Sequence, residues 1–409
     1  MLEKADRCLL TTTDHCIYKV PLDIRKHNEE AYTPKVISIG PFHNGDERLQ
    51  NMEMYKLRYL KKFLERNNRM ISLEDLVKKI KEIEQSIRNC YANIIELKSD
   101  ELVKIILVDT SFILELLWRS YSNDWTEEDS ILKPWLNTSI RIDLLLLENQ
   151  LPFFVLENIF NEVFASQKRA NAKFPTLVKL TFDYFKYYNK MGVQVDPDIS
   201  IKHFTDMLRI FNLPPPEDLP RREDVDKTEI HLRSVTELAE AGLKFRRGSS
   251  ECLLDLQLSG RYLKIPPLKL DGHTDILFCN LLALEQCHYP YDAHITDYIT
   301  ILDFLIDTGK DVDILVEKGI MVNWIGDSDA AAKLVNDLWK NVTQVNLNSH
   351  YKSLYKDLDT FYKNPMNRGR ATLKRDYCNT PWKKVVSFGG VLLLFLAAIQ
   401  TIFTVKSAV

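Results

Sequence analysis

The chain has 409 residues, 45% of them apolar, and a formal charge of −3 at neutral pH. That is material for one large or two ordinary domains with a substantial core. The near-zero charge speaks against a nucleic-acid partner, because phosphate recognition needs a concentrated basic face. The seven cysteines are scattered, odd in number and without a Cys-x-x-Cys pair, which fits reduced, mostly buried thiols better than a disulfide framework.

Residues 1–15 hold no apolar stretch long enough for a signal peptide and are expected to be disordered. The next thirty or so residues, 16–45, have the character of an extended, turn-rich leading segment. Pro21, Pro34 and Pro41 break any helix there, and Val36, Ile37 and Ile39 favour a short strand. Helical periodicity then takes over. Met54, Leu57, Leu60 and Leu64 predict one apolar face. Leu73, Val77, Ile80, Ile83, Ile87, Cys90 and Ile94 predict a second, opened by Ser72 with Glu74 and Asp75.

Residues 105–118 and 143–160 are nearly all apolar but broken by acids or Pro152, and read as central core helices. Inside the second run, Glu148, Asn149 and Gln150 place polar groups between apolar neighbours. If buried, each needs a hydrogen-bond partner. They serve either a polar network that fixes the packing or a pocket for a ligand or partner, and the first use is the commoner. Glu285 and Gln286 repeat the pattern.

Four prolines and mixed charges over 213–229 mark a linker or long surface loop between a helical part, 16–212, and a second one, 230–360. A helix through Val235, Leu238 and Ala239 should stop at Gly242, a residue suited to a left-handed cap. Leu254, Leu256 and Leu258 alternate with polar residues, Ser259-Gly260 can turn, and Tyr262, Leu263 and Ile265 can return, which predicts a β-hairpin near 253–265. Helices are expected again at 276–287, 295–307 and 330–345.

The C-terminal end reads as a juxtamembrane segment, 361–384, a transmembrane helix, 385–405, and a short tail, 406–409. The 21 residues of 385–405 carry no charge and, as a helix, measure about 30 Å, the thickness of a bilayer's hydrocarbon core. Trp382, Lys383, Lys384 and Lys406 would sit at the membrane interface, with lipid as a partner. Arg368, Arg370, Lys374 and Arg375 add to the basic excess before the span, which predicts a tail anchor with a cytoplasmic body, on the plasma membrane or an internal one. The sequons at Asn137 and Asn341 would point the other way only if glycosylated.

No phosphate-cradling glycine loop, nucleophile elbow or His-Glu-x-x-His motif is present, so neither an enzyme nor a cofactor is expected. His273, Cys279, Cys287 and His288 match no zinc module, and Cys279 and Cys287 lie on an apolar helical pattern. Asp311, Asp313, Asp327 and Asp329 lack the rest of a calcium loop and read as loop or cap residues.

In order along the chain stand IYKVPLDIRKHNEEAYTPKVISIGPFHNG, VDTSFILELL, DLLLLENQLPFFVLENIF, LLDLQLSGRYLKIPPLKLD, FCNLLALEQC, DYITILDFLIDTGKDVDILVEKGI and the Pro381-Trp382 pair. This ordered set resembles the plant family known as domain of unknown function 247, or uncharacterised protein family 0481, over nearly the whole chain. The resemblance implies a mainly α protein with no established enzymatic activity. Some members are implicated in self-incompatibility in grasses, others in floral sex determination. The chain departs from the family's Trp-rich pattern at 361–380, and no family site residues carry over. The expectation is a membrane-anchored recognition or signalling protein with an unidentified protein partner, possible in reproduction; a structural adaptor is the alternative, and an enzyme comes third.

Overall fold

The structure is a computed structural model describing residues 15–401, apart from 67–70, 127–130, 132, 172, 197–198, 223–231, 341, 343–346, 368, 370–392, 394–395 and 398. The leading segment carries only a short helix, α1 (Leu22–Arg25), and one single-turn 3-10 stretch, Glu29–Tyr32. The strand expected at Val36–Ile39 does not form; Ile17 alone makes a parallel bridge, to Tyr91.

Helix α2 (Gln50–Arg66) buries Met52, Lys56, Tyr59 and Phe63, while Met54 is 66% and Leu57 43% exposed. The predicted face was therefore rotated, because it was drawn through the aliphatic residues and skipped a buried lysine. Helix α3 (Leu73–Cys90) starts where expected. Ser72 accepts from the Asp75 N–H and the Asp75 carboxylate accepts from the Ser72 N–H, a reciprocal cap. Its buried residues are Leu76, Ile80 and Ile87, and Ile94 lies beyond its end, exposed.

Helix α4 (Ser99–Ser122) is buried along most of its length and on all sides, as a central helix should be. It packs against α2 and α3. Helix α5 (Pro134–Asp143) follows, and the chain then runs without regular helix through 144–152. The single helix expected over 143–160 is thus only its second half, α6 (Phe153–Val163), which begins directly after Pro152. Pro152 can precede a helix but cannot sit within one without removing a backbone donor. Next come α7 (Ala165–Ala170), α8 (Leu177–Tyr184) and α9 (Phe204–Asn212).

The second half opens with α10 (Val235–Glu240). It ends at Gly242, with φ +96°, where the Leu243 N–H reaches Leu238 O and the Gly242 N–H reaches Ala239 O. This is the left-handed closure the sequence predicts. The hairpin is present as β2 (Gln257–Ser259) and β3 (Tyr262–Ile265), shorter than expected, and β1 (Lys244–Arg247) lies parallel to β3 on its other side. A second, two-stranded parallel sheet joins β4 (Leu268–Leu270) to β5 (Met321–Asn323). The remaining helices are α11 (Thr274–His288), α12 (His294–Leu305), α13 (Gly309–Glu317), α14 (Ser328–Trp339) and α15 (Ser349–Lys363). Helix α11 touches α9, α12, α14 and the leading segment. A continuous apolar core extends from Cys16 to Leu358.

The fold is mainly helical with a few short strands, but the C-terminal transmembrane helix is corrected. Among the described residues, no helix is long and apolar enough to cross a membrane. A span needs an unbroken helix as well as an apolar run, since every backbone polar group must be satisfied internally. Of 385–405, only Leu393, Leu396, Ala397, Ile399, Gln400 and Thr401 are described, each helical. The transmembrane and tail-anchor readings rest on that helix and are corrected with it; the rest of 385–405 lies outside the described residues. Trp382, Lys383, Lys384 and Lys406 lie outside the described residues, as do the N-terminal residues 1–14 and the 406–409 tail.

Candidate functional site

Glu148, Asn149 and Gln150 are all buried. They sit in the non-helical stretch 144–152, whose backbone has no ladder to satisfy it. Their side chains do that work. Gln150 Nε2 donates to Leu144 O (2.7 Å) and Leu146 O (2.8 Å), and its Oε1 accepts from the Phe204 N–H at 2.9 Å. Asn149 Nδ2 donates to Asp143 O and Ile37 O, and its Oδ1 accepts from the Ile39 N–H at 2.7 Å. From α11, Asn280 accepts from the Leu147 N–H and donates to Ala31 O.

The same hub holds the leading segment. Asp143 accepts from the N–H groups of Lys35, Val36 and Ile37. Glu148 accepts from the Val20 N–H and from Arg25, with His43 Nε2 at 3.1 Å. Burial pushes Glu148 up, but His43, the Val20 N–H and Arg25 together hold it below its ordinary value. At Asp143 burial prevails over its three N–H donors and takes the carboxyl up to about 6. Burial also raises Asp109, against the opposing Lys56 ammonium 2.6 Å away. Its other oxygen accepts from the Gly40 N–H at 2.8 Å, and donors on both oxygens are the geometry of an ionised carboxylate. On Lys56, burial is outweighed by Asp109 and Glu53, so the ammonium is held above its usual range. The hub is thus a packing network that ties the leading segment to residues 143–150.

Glu285 is elsewhere. It accepts from Arg209 Nε, the Ile295 and Thr296 N–H groups and the Thr296 hydroxyl, tying α11 to α9 and α12. It shares none of these partners with Glu148. Gln286 is half-buried and lines a narrow crevice with Asn28 and Tyr32. Asp311 completes the cap of α13 and Asp327 caps α14. Cys279 and Cys287 are free thiols raised to about 12 and about 11, by burial first. Among the described residues, no group of three His, Cys, Asp or Glu could hold a metal ion.

One feature open to a partner is a cleft of about 560 Å³ between α5, the chain after α8 and β4. Its rim is aromatic and cationic. Lys269 on β4 donates to the Tyr187 hydroxyl (2.9 Å), pairs with Asp271 (3.0 Å) and sits 4.3 Å from the Trp324 ring centre. Tyr187 first and then Asp271 hold that ammonium above its ordinary value. Lys190 also lies over the Tyr187 ring, 4.2 Å from its centre. Trp324 is 70% exposed, and Trp135, 63% exposed, stands one turn before the cleft residue Thr138. Arg141, Lys190, Arg247 and Lys269 line the cleft against Glu251 and Asp271. Among the described residues, one edge of β4 has no strand partner.

The family profile described as DUF247, plant protein of unknown function, matches residues 17–396. The chain belongs to that family. Two Arabidopsis thaliana members resemble it along nearly all of its length. The UPF0481 protein At3g47200 is 29% identical, over 96% of this chain and 86% of the relative. The putative UPF0481 protein At3g02645 is 23% identical, over 96% and 90% respectively. No solved structure matches. Neither the DUF247 description nor these names carry an activity. In this DUF247 chain, sequence reasoning found Glu148, Asn149, Gln150 and Glu285 but missed Lys56, Asp109, Asp143 and Asn280. The signal for Asp109 and Asn280 was present: a lone polar residue inside an apolar helical run needs a buried partner. The cleft residues leave no such trace, since exposed aromatics scatter through any sequence.

Proposed function

We propose that this chain works by recognising another protein, and that an acidic, extended segment of that partner docks in the cleft bordered by Tyr187, Lys269 and Trp324. The carrying observation is the Lys269–Trp324 pair, an exposed indole held beside the ammonium of a lysine that lines the cleft. Tryptophan, tyrosine and arginine dominate binding energy at protein interfaces. Cations outnumber carboxylates along the lining although the chain as a whole is negative, so the complementary partner is acidic. The open edge of β4 offers backbone groups to an extended peptide.

Catalysis fits less well. Burial raises Cys252, Cys279 and Cys287, whereas a nucleophilic thiol needs a lowered pKa. A generic adaptor would use broad helical faces instead of one charged cleft. The test is fluorescence anisotropy with short labelled peptides graded from acidic to basic. Acidic, aromatic-containing peptides should bind saturably and weaken with salt. Equal binding of basic peptides, or binding unchanged by Lys269→Glu, would sink the reading.

A further inference from the structure

Cys16 and Cys90 are far apart in the sequence and side by side in the fold. The N–H groups of Cys16 and Ile17 both donate to the Cys90 carbonyl at 2.9 Å, and the Ala92 N–H donates to Ile17 O at 3.0 Å. These bonds make the parallel bridge between Ile17 and Tyr91. Cys16 and Cys90 each stand one residue before it. Paired strands run about 4.8 Å apart, inside the range of about 4.4–6.8 Å between α-carbons that a disulfide spans. The two free thiols are in hydrogen-bonding contact.

The two sulfurs are not equivalent. Cys16 is buried and Cys90 half-buried. The contact with Cys90 first, and burial second, push the Cys16 thiol up. The proton of the pair therefore stays on Cys16, and Cys90 is the first to ionise and the more open to a reagent. Among the described cysteines, Cys252, Cys279 and Cys287 have no thiol among the groups that shift them, and burial comes first for each. The pair also sits at a seam. Residues 16–45 are otherwise held by hydrogen bonds to side chains such as Asp143, Glu148 and Asn149, so a bond at Cys16 would fix one end of that segment covalently to the end of α3.

We propose that Cys16 and Cys90 form a reversible disulfide, made by exchange with a small-molecule disulfide such as oxidised glutathione, that staples the leading segment to the end of α3. The Cys90 thiolate attacks one sulfur of the small disulfide, which forms a mixed disulfide and releases one small thiolate. Cys16 then gives up its proton and attacks the Cys90 sulfur, and the second small thiolate leaves. Two protein thiols lose two electrons and two protons, and one small disulfide becomes two small thiols. The new bond closes α2 and α3 into one loop and removes freedom from the open chain. The oxidised protein therefore holds its leading segment more tightly than the reduced one. Neither cysteine lines the peptide cleft, so the switch stands apart from the function proposed there.

The experiment incubates the folded full chain with oxidised glutathione, blocks the remaining thiols by alkylation, and maps unreduced tryptic peptides by mass spectrometry. The expected product joins Cys16 to Cys90. Fragmentation separates it from a link at Cys8, which lies on the same tryptic peptide as Cys16. Amide exchange at Val20, Ile37 and Ile39 should slow by roughly tenfold or more on oxidation and recover with dithiothreitol. Cys16→Ser should trap glutathione on Cys90, whereas Cys90→Ser should leave the buried Cys16 unmodified. The linkage map and the exchange rates come from the parent chain, so they decide the matter even where a variant does not fold. The proposal is overturned if Cys16 and Cys90 of the folded parent both stay open to alkylation, or if the link runs to Cys8, Cys287 or another cysteine. It is also overturned if the link forms only once urea has opened the chain, if exchange in the leading segment is the same in both redox states, or if Cys90→Ser takes glutathione on Cys16.

Discussion

A side chain on Gly40 would begin 2.6 Å from the backbone oxygen of Gln150 and 3.0 Å from the Tyr91 hydroxyl. Gly40 also holds φ at +73°, a region that disfavours any residue with a Cβ. Two backbones therefore meet at the hub with nothing between them. Gly40→Ala should destabilise the chain by about 3 kcal/mol or more, read from urea unfolding. Gly45→Ala, also left-handed at φ +88° but facing open space, should cost only about 1–2 kcal/mol. Equal effects would mean the contact with Gln150 is unimportant.

Asn149→Leu preserves size but strands the Ile39 N–H and the Ile37 carbonyl, and leaves Asp143 O only its 3.4 Å bond from the Leu146 N–H. At roughly 1–3 kcal/mol for each buried group left unpaired, a loss of about 3–5 kcal/mol is expected. Gln257→Leu removes a surface bond to Asp255 and should stay within about 0.5 kcal/mol. Denaturant midpoints compare the two directly.

The buried Lys56–Asp109 pair is suited to a double-mutant cycle. Lys56→Met leaves an uncompensated buried carboxylate and should cost about 3–5 kcal/mol. Adding Asp109→Leu removes that charge, and part of the stability should return even though Gly40 N–H and Ser38 O lose their partners. Strictly additive losses would show that the two side chains do not interact.

His203 sets the sign of one pH effect. Burial, first among its causes, lowers the imidazole to about 4. Its Nε2–H donates to Cys16 O while Nδ1 accepts from the Asp206 N–H. The neutral ring is thus favoured in the fold, so its stabilisation is full above the unfolded value near 6.5 and is lost as pH falls toward 4. The parent should lose on the order of 3 kcal/mol across that window relative to His203→Asn. A pH-independent difference between the two would show that His203 titrates as it does in the unfolded chain.

At the cleft the reverse separation is expected. Trp324→Ala removes an exposed side chain and should leave stability within about 0.5 kcal/mol. The same change should weaken acidic-peptide binding at least tenfold, or about 1.4 kcal/mol. Thermal melts and anisotropy on one preparation give both readings.

Much of the helical frame was legible because it follows local rules. The Ser72 cap, the Gly242 stop and the turn at Gly260 depend on neighbours a few residues away. What escaped depends on distant partners. Lys56 counts as surface in any periodicity until Asp109 is seen beside it, and so the face of α2 was drawn through Met54 and Leu57. Residues 144–152 carry helical hydrophobicity but are held as a loop by Asn280, Thr205 and their own Gln150. The apolar run at 385–405 has the length and hydropathy of a span, but among the described residues no helix is long and apolar enough to cross a membrane. In the candidate sites, Glu148 to Gln150 were visible as polar intrusions in an apolar run. Lys269, Trp324 and the Cys16–Cys90 pair were not, because only folding gives them neighbours.

The leading segment has a temporal consequence. Its backbone partners are side chains encoded far downstream, the last being Asn280, 249 positions after Ala31. At ordinary translation rates that is roughly 12–50 seconds during which the first part of the chain is made but has nowhere to dock. Nascent-chain protection from proteases should therefore appear late and abruptly, as α11 leaves the ribosome, instead of growing with length. The segment from Cys16 to Gly45 is among the last parts of the fold to become native.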